Sequence, residues 1–317
     1  MITSPITKRL LVAAASSALL IGSSMAFAQE PKQCQDVTLS DPGWSDIGAT
    51  NGITTTLLQA MGYKTNVFLL SVPVTYESIR NGKIDVFMGN WMPAQSAFMK
   101  KYKGSIDVVK TNLEGVKFTL AVPDYVYKAG VKDFSDLHKF ADKFHRRIYG
   151  IGAGSPANQK LQKMINTNDF DLGKWQLVES GEQAMLSQVA RTIKRDKFIV
   201  FLAWEPHPMN IRFHLKYLSG GDKYFGPNYG SATIHTVTRK GYSKSCPNVG
   251  KLLSNLKFSL NMENQIIADA KQKNQKSRVA AENWIKAHPK ILTQWLQGVT
   301  TFSGQPALPV VKKELGL

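Results

Sequence analysis

The chain has 317 residues, a formal net charge of +17 and only two cysteines, Cys34 and Cys246. That length accommodates two domains of ordinary size, each with its own core. The basic residues are scattered pairs such as Lys100-Lys101, Arg146-Arg147 and Lys312-Lys313. This pattern argues against a nucleic-acid groove and for a solvated basic surface, with weak attraction to an anionic membrane as the secondary reading.

Residues 1–28 read as an export signal. Lys8 and Arg9 form a positive start, Leu10 to Ile21 is apolar, and Ala26-Phe27-Ala28 has the form of a cleavage site. Cleavage after Ala28 leaves a chain that starts at Gln29. No other apolar run approaches the roughly 18 residues that a span needs, so the expectation is a soluble, exported protein. In an oxidising compartment an even pair of cysteines usually bonds. Two separate buried thiols are the alternative for Cys34 and Cys246.

From Asp36 the chain alternates strand-like and helix-like segments. Strands are predicted over Asp36 to Ser40, Thr65 to Leu70, Ile84 to Met88, Phe118 to Val122, Arg147 to Ile151, Gln176 to Glu179 and Phe198 to Ala203. Helices are predicted over Asp46 to Met61, Thr75 to Asn81, Pro156 to Asn166 and Gln183 to Lys194. From Lys251 to Leu296 the pattern is almost wholly helical, broken near Asn274 and at His288-Pro289. Such alternation predicts an α/β fold with helices on both faces of its sheets. Two α/β units suit a two-lobed protein with a ligand cleft. If the cysteines bond, both ends share one lobe, over 29–122 and 222–317, and 123–221 forms the other.

Three tryptophans stand at the ends of predicted strands: Trp44 after Asp41-Pro42-Gly43, Trp91 after Gly89-Asn90, and Trp204 after Ala203. In open α/β sheets, ligands bind beyond the carboxyl ends of the strands. One such tryptophan is as readily a core residue; three together favour a cleft. Aromatic faces suit a quaternary ammonium group, which has no N–H to donate and spreads its charge over methyl groups. Each such contact contributes roughly 0.5–2 kcal/mol. Asp46 either serves the start of a helix or accepts a ligand hydroxyl and balances the cation. The second role favours choline, because the carboxylate of a betaine would be repelled.

The segment Gly150-Ile151-Gly152-Ala153-Gly154-Ser155 invites a dinucleotide-loop reading, but Ser155 stands where that motif needs glycine. Ser155 before Pro156 fits a helix cap, and Asn158 then lies in the first helical turn, in reach of a cleft. Catalytic signatures are absent: no G-x-S-x-G, no H-E-x-x-H, and no metal-ligand spacing among six histidines. His207, between Pro206 and Pro208, reads as a residue that shapes the loop after Trp204. The expectation is a non-catalytic protein with no cofactor and no metal. The rivals are a hydrolase using a carboxylate with His207, and a basic surface protein binding an anionic polymer.

Gly43-Trp44-Ser45-Asp46-Ile47, Gly89-Asn90-Trp91-Met92-Pro93 and Ala203-Trp204-Glu205-Pro206-His207 together resemble the glycine betaine/choline substrate-binding proteins of ABC transporters. The resemblance runs in order over the chain after the signal, including both cysteines. It implies a type II periplasmic binding fold that closes by a hinge, and a partnership with a membrane permease and its ATPase. It implies Trp44, Trp91 and Trp204 as walls of an aromatic box, Asp46 as partner of a choline hydroxyl, and Asn158 as a contact from the second lobe. Family members close the box with a tyrosine where this sequence has Phe118, which keeps the ring and loses the hydroxyl. The resemblance also implies a Cys34–Cys246 bridge and a periplasmic location; a monomer is expected, and the scattered charges predict no nucleic-acid partner. Glycine betaine, carnitine or acetylcholine are the alternative ligands of the same cage.

Overall fold

The computed structural model describes residues 1–2 and 30–317. The signal features read from Lys8 to Ala28, and the cleavage point, lie outside the described residues. None of the described helices is long and apolar enough to cross a membrane.

Among the described residues nine strands form one hydrogen-bonded sheet: β1 (Asp36–Asp41), β2 (Lys64–Leu69), β3 (Val86–Met92), β4 (Ile106–Pro123), β5 (Arg147–Tyr149), β6 (Gln176–Val178), β7 (Phe201–Glu205), β8 (Leu215–Tyr217) and β9 (Ser231–Arg239). Their order is β2-β1-β3-β9-β4-β7-β5-β6, with β8 also paired to β4. At one end β1 lies parallel to β2 and β3; at the other β5 lies parallel to β6 and β7. Parallel neighbours need crossover helices, which is what the alternating sequence pattern supplies.

Strand β4 joins the two parallel units. From Ile106 to Lys117 it pairs with β9, from Lys117 to Ala121 with β7, and from Ala121 to Pro123 with β8. Three register shifts break its ladder with β9, between Val108 and Val116. The chain returns through Gly230, just before β9. Gly230 has φ +72°, and a Cβ there would lie 2.0 Å from the carbonyl oxygen of Phe118. Only glycine allows the returning chain to lie this close to β4.

The Ser45–Ala60 helix shows how a polar sequence can be interior. Thr50, Thr54, Thr55 and Thr56 are all buried along it. Thr54 and Thr55 satisfy their hydroxyls by donating one turn back, to the carbonyls of Thr50 at 2.8 Å and Asn51 at 2.7 Å. After β9 the chain is helical, with helices Pro247–Asn255, Leu260–Gln272, Ser277–Ala287 and Ile291–Trp295. The predicted breaks near Asn274 and at His288-Pro289 are present, and a further break lies at Leu256 to Ser259.

Cys34 and Cys246 form a disulfide across 212 residues of chain. It ties the start of β1 to the helical segment after β9. Closing so long a loop restricts the unfolded chain and stabilises the fold by roughly 2–5 kcal/mol.

Candidate functional site

A cavity opens where the carboxyl ends of β1, β3 and β7 face the middle of β4. Its walls include Trp44, Trp91, Phe118 and Trp204, with Asp46 as the charged group among its lining residues. Trp44 is the N-cap of the Ser45–Ala60 helix, placed just after β1 by the Asp41-Pro42-Gly43 turn. The Gly43 amide donates to Asp41 Oδ1 at 2.7 Å, which holds that turn.

Trp91 and Trp204 lie within strands rather than after them, which corrects the sequence reading. Strand β3 runs on through Met92, with Trp91 opposite Ile234 of β9. The Gly89-Asn90 pair read as a strand end sits at a register shift between Phe87 and Asn90. Strand β7 starts at Phe201 and includes Trp204, which stands opposite Phe118 of β4. Direct register brings these two side chains to neighbouring positions of the sheet. Phe118 also meets Trp91 edge-on, ring centres 5.9 Å apart at 75°. On its other side it meets Phe225 at 5.4 Å. Prolines follow two residues after both tryptophans, at cis Met92-Pro93 and Glu205-Pro206 bonds.

Asp46, in the first helical turn, is buried. Its Oδ2 accepts from the indole nitrogen of Trp91 at 3.3 Å, and its Oδ1 has no partner. Burial pushes the Asp46 carboxyl up to about 8, and the negative charges of Glu182 and Asp41 add to the shift. Trp204 Nε1 is likewise buried without a partner. The cavity therefore offers aromatic faces, one carboxyl and one indole donor, and among the described residues no Lys, Arg or His lines it.

Asn158 is not brought into this cavity. Its side-chain amide is spent on the loop that precedes its helix. Oδ1 accepts from the Ile151 amide at 3.0 Å, and Nδ2 donates to the Ile151 carbonyl and to Glu179 Oε1, both at 2.7 Å. A Cβ on Gly150 would lie 2.4 Å from Asn158 Oδ1. The glycine there accommodates an asparagine rather than a phosphate. The cavity is lined from this side by Ile151, Ser155, Pro156 and Ala157. Ser155 caps the Pro156–Asn166 helix as read from the sequence, its Oγ accepting from the Asn158 amide at 3.2 Å. Its place on the cavity wall was not foreseen.

Sequence reasoning also missed Gln95 and Glu182. Gln95 is fully buried on the cavity wall; it donates to the Gly89 carbonyl at 2.7 Å and accepts from Tyr76 at 2.6 Å, so it braces the segment that carries Trp91. Glu182 starts the Glu182–Ile193 helix and reaches across to Ser45, between Trp44 and Asp46. It accepts from the Ser45 amide at 2.8 Å and from the Ser45 hydroxyl. His207 Nε2 lies 3.1 Å from Glu182 Oε1, while Nδ1 accepts from the Met209 amide at 3.0 Å. The second contact leaves the ring proton on Nε2, facing Glu182. Burial pushes the Glu182 carboxyl up, but the hydrogen bonds from His207 and Ser45 outweigh it and hold the group below the usual glutamate value. Burial lowers His207 against the pull of Glu182. His207 does shape the loop after Trp204, and it is also part of this ionic cluster.

A two-lobed α/β protein with an aromatic cavity at its strand ends is a receptor for a small molecule. The chain belongs to a family described as the substrate binding domain of ABC-type glycine betaine transport system, which matches residues 35–287. It is a solute-binding family, and binding proteins of this type are extracytoplasmic. A solved ABC-transporter choline binding protein in complex with choline is 49% identical, with a TM-score of 0.89. The match covers 90% of this chain and 100% of that one. The ABC-transporter choline binding protein in an unliganded semi-closed conformation has the same identity and coverage and a TM-score of 0.83. Lactococcal OpuAC, closed and complexed with glycine betaine, is 29% identical, with a TM-score of 0.74 over 82% of this chain and 98% of its own.

Proposed function

We propose that this protein captures choline outside the cytoplasm and delivers it to a membrane permease driven by an ATPase. One observation carries the choice of ligand: a buried carboxyl, Asp46, among Trp44, Trp91, Phe118 and Trp204, in a cavity lined by no cationic side chain among the described residues. The rings receive the trimethylammonium group. Asp46 balances its charge and accepts its hydroxyl. The solved choline complex at 49% identity supports the same ligand.

In this reading Trp44, Asp46, Trp91, Phe118 and Trp204 are ligand contacts, and Asn158 acts one step away, by holding the Ile151 loop against the cavity. The lobes are 29–122 with 222–317, and 123–221. The pairing of β4 with β7 of one parallel unit and with β9, which pairs with β3 of the other, and the close pass of Gly230 over Phe118, support strand crossings of this kind. The protein is a periplasmic monomer, released by cleavage after Ala28. It acts without catalysis, cofactor or nucleic acid.

Glycine betaine is a second reading with its own support. A protonated Asp46 does not repel a carboxylate and can donate to it, and its raised pKa favours that form. Parallel calorimetric titrations with choline, betaine, carnitine and acetylcholine decide between them. Tightest binding by choline is expected; no response to choline at about millimolar concentration sinks the reading.

A further inference from the structure

Glu182 does more than start a helix. Its side chain, like that of His207, is fully buried, and it joins parts of the chain that lie far apart in sequence. From 29–122 comes Ser45, whose amide and hydroxyl both donate to it. From 222–317 comes Lys271, whose Nζ lies 3.8 Å from Glu182 Oε1 and 3.1 Å from His207 Nε2. Glu182 and His207 both belong to 123–221. Ser45 adjoins Trp44 and Asp46; His207 follows Trp204 by one short turn. The cluster thus fastens the two edges of the cavity to each other. Its anchor is also electrostatically apt, since a carboxylate at the N-terminus of the Ser45–Ala60 helix meets the positive end of that helix.

The fastening carries a cost that depends on what occupies the cavity. Bringing Glu182 to Ser45 also brings its negative charge towards Asp46, which Asp41 already faces from β1, and Glu263 from the Leu260–Gln272 helix. Lys271 compensates only part of that charge. In the empty closed site that influence keeps Asp46 protonated; a cation held against Asp46 offsets it and lets the carboxyl ionise. We propose that Glu182 is a positioning residue that makes closure of the cavity conditional on a positive charge inside it, fastening the lobes through Ser45 and Lys271. A neutral ligand of the same shape then occupies the rings without the full gain of closure. The proposal rests on the binding reading given above and adds to it the residue that reads the charge.

The test compares choline with its uncharged carbon analogue, 3,3-dimethylbutan-1-ol, by calorimetry and stopped-flow tryptophan fluorescence. In Glu182→Gln, choline affinity falls about tenfold or more, mainly through faster dissociation, while the alcohol is held as well as before, so the preference for the cation narrows. Ser45→Ala, which loosens the latch and keeps the charge, weakens both compounds together. If Glu182→Gln does not fold, Lys271→Met decides: losing the compensating charge widens the preference for choline. Equal losses for both compounds in Glu182→Gln, or an unchanged preference in Lys271→Met, overturn the proposal. Failure of the unaltered protein to bind either compound instead refutes the ligand reading. The latch is then judged from small-angle scattering of the ligand-free protein at about pH 5, where a protonated Asp46 lifts the charge cost of closure: Ser45→Ala must lower the closed fraction there, and an unchanged profile overturns it.

Discussion

The indole nitrogen of Trp91 donates to Asp46 at 3.3 Å, so one wall of the cavity is hydrogen-bonded to the carboxyl that lines it. The bond orients the ring and leaves Asp46 Oδ1 free. It also sets a pH dependence. With the Asp46 carboxyl pushed up to about 8, the empty site is mostly protonated at neutral pH. Choline favours the carboxylate, so its binding expels a proton below that pH. Choline affinity therefore rises with pH, by at most about tenfold per unit, and levels off above about 8. A betaine carboxylate favours the protonated form, so its affinity falls above the same pH. Calorimetry of both ligands across this range, in buffers of different ionisation heat, measures the proton count. In Asp46→Asn both slopes should vanish, and choline should lose more affinity than betaine.

Phe118 gives a test of the aromatic walls that is independent of ligand hydroxyls. It stands opposite Trp204 and edge-on to Trp91. Phe118→Ala removes one face from the cation and lets water in. A loss of about 1–2 kcal/mol is expected for choline, betaine and tetramethylammonium alike. Phe118→Tyr keeps the face and should bind tetramethylammonium as the unaltered protein does. A loss confined to choline in Phe118→Ala would argue against a shared cage.

The residues that converge on the cavity were legible in sequence as far as local pattern reaches. Trp44 was placed by the Asp41-Pro42-Gly43 turn, and Asp46 by the helix start that follows. The strand ends were less legible. Gly89-Asn90 has turn chemistry, yet it sits at an irregularity that the β3–β9 ladder tolerates. The first half of β4 escaped notice because its register shifts break the period-two alternation that marks a strand. Asn158 was placed in the right helical turn, but nothing in its spacing tells whether its amide faces a ligand or the backbone of Ile151. Glu182 was out of reach: an acidic residue at a helix start is commonplace, and its partner Ser45 lies 137 positions away.

Gly230 tests the close pass at which the chain returns from 123–221. Its φ of +72° disfavours any side chain, and a Cβ would collide with the Phe118 carbonyl at 2.0 Å. Gly230→Ala must displace β4 at Phe118 or the start of β9. A destabilisation of about 1–3 kcal/mol is expected, seen as a lower melting temperature. Ligand affinity should fall too, because Phe118 moves with its backbone. Gly226→Ala is the matched control, since φ is +92° there but a Cβ meets nothing within 4 Å. It should lower stability through backbone strain and leave affinity nearly unchanged.

Glu263 presents the opposite case, a residue whose replacement should stabilise the fold. It is buried in the Leu260–Gln272 helix, and neither carboxyl oxygen has a hydrogen-bond partner. Burial raises its pKa well above the ordinary 4.5, and Asp46 adds to the shift. The sign of the linkage follows directly. Below about 4.5 the carboxyl is protonated in both folded and unfolded chains, and the penalty of ionisation is absent. Above that pH the unfolded chain releases its proton and the folded one does not, so stability is lost as pH rises towards the folded pKa. Glu263→Gln should therefore flatten the decline in stability from acid to neutral pH. Glu263→Met, which also removes the unpartnered polar atoms, should raise stability near neutral pH by about 1–3 kcal/mol. Urea unfolding at several pH values measures both. A stability that falls in Glu263→Met at neutral pH would mean that the carboxyl has a partner in solution that supports it.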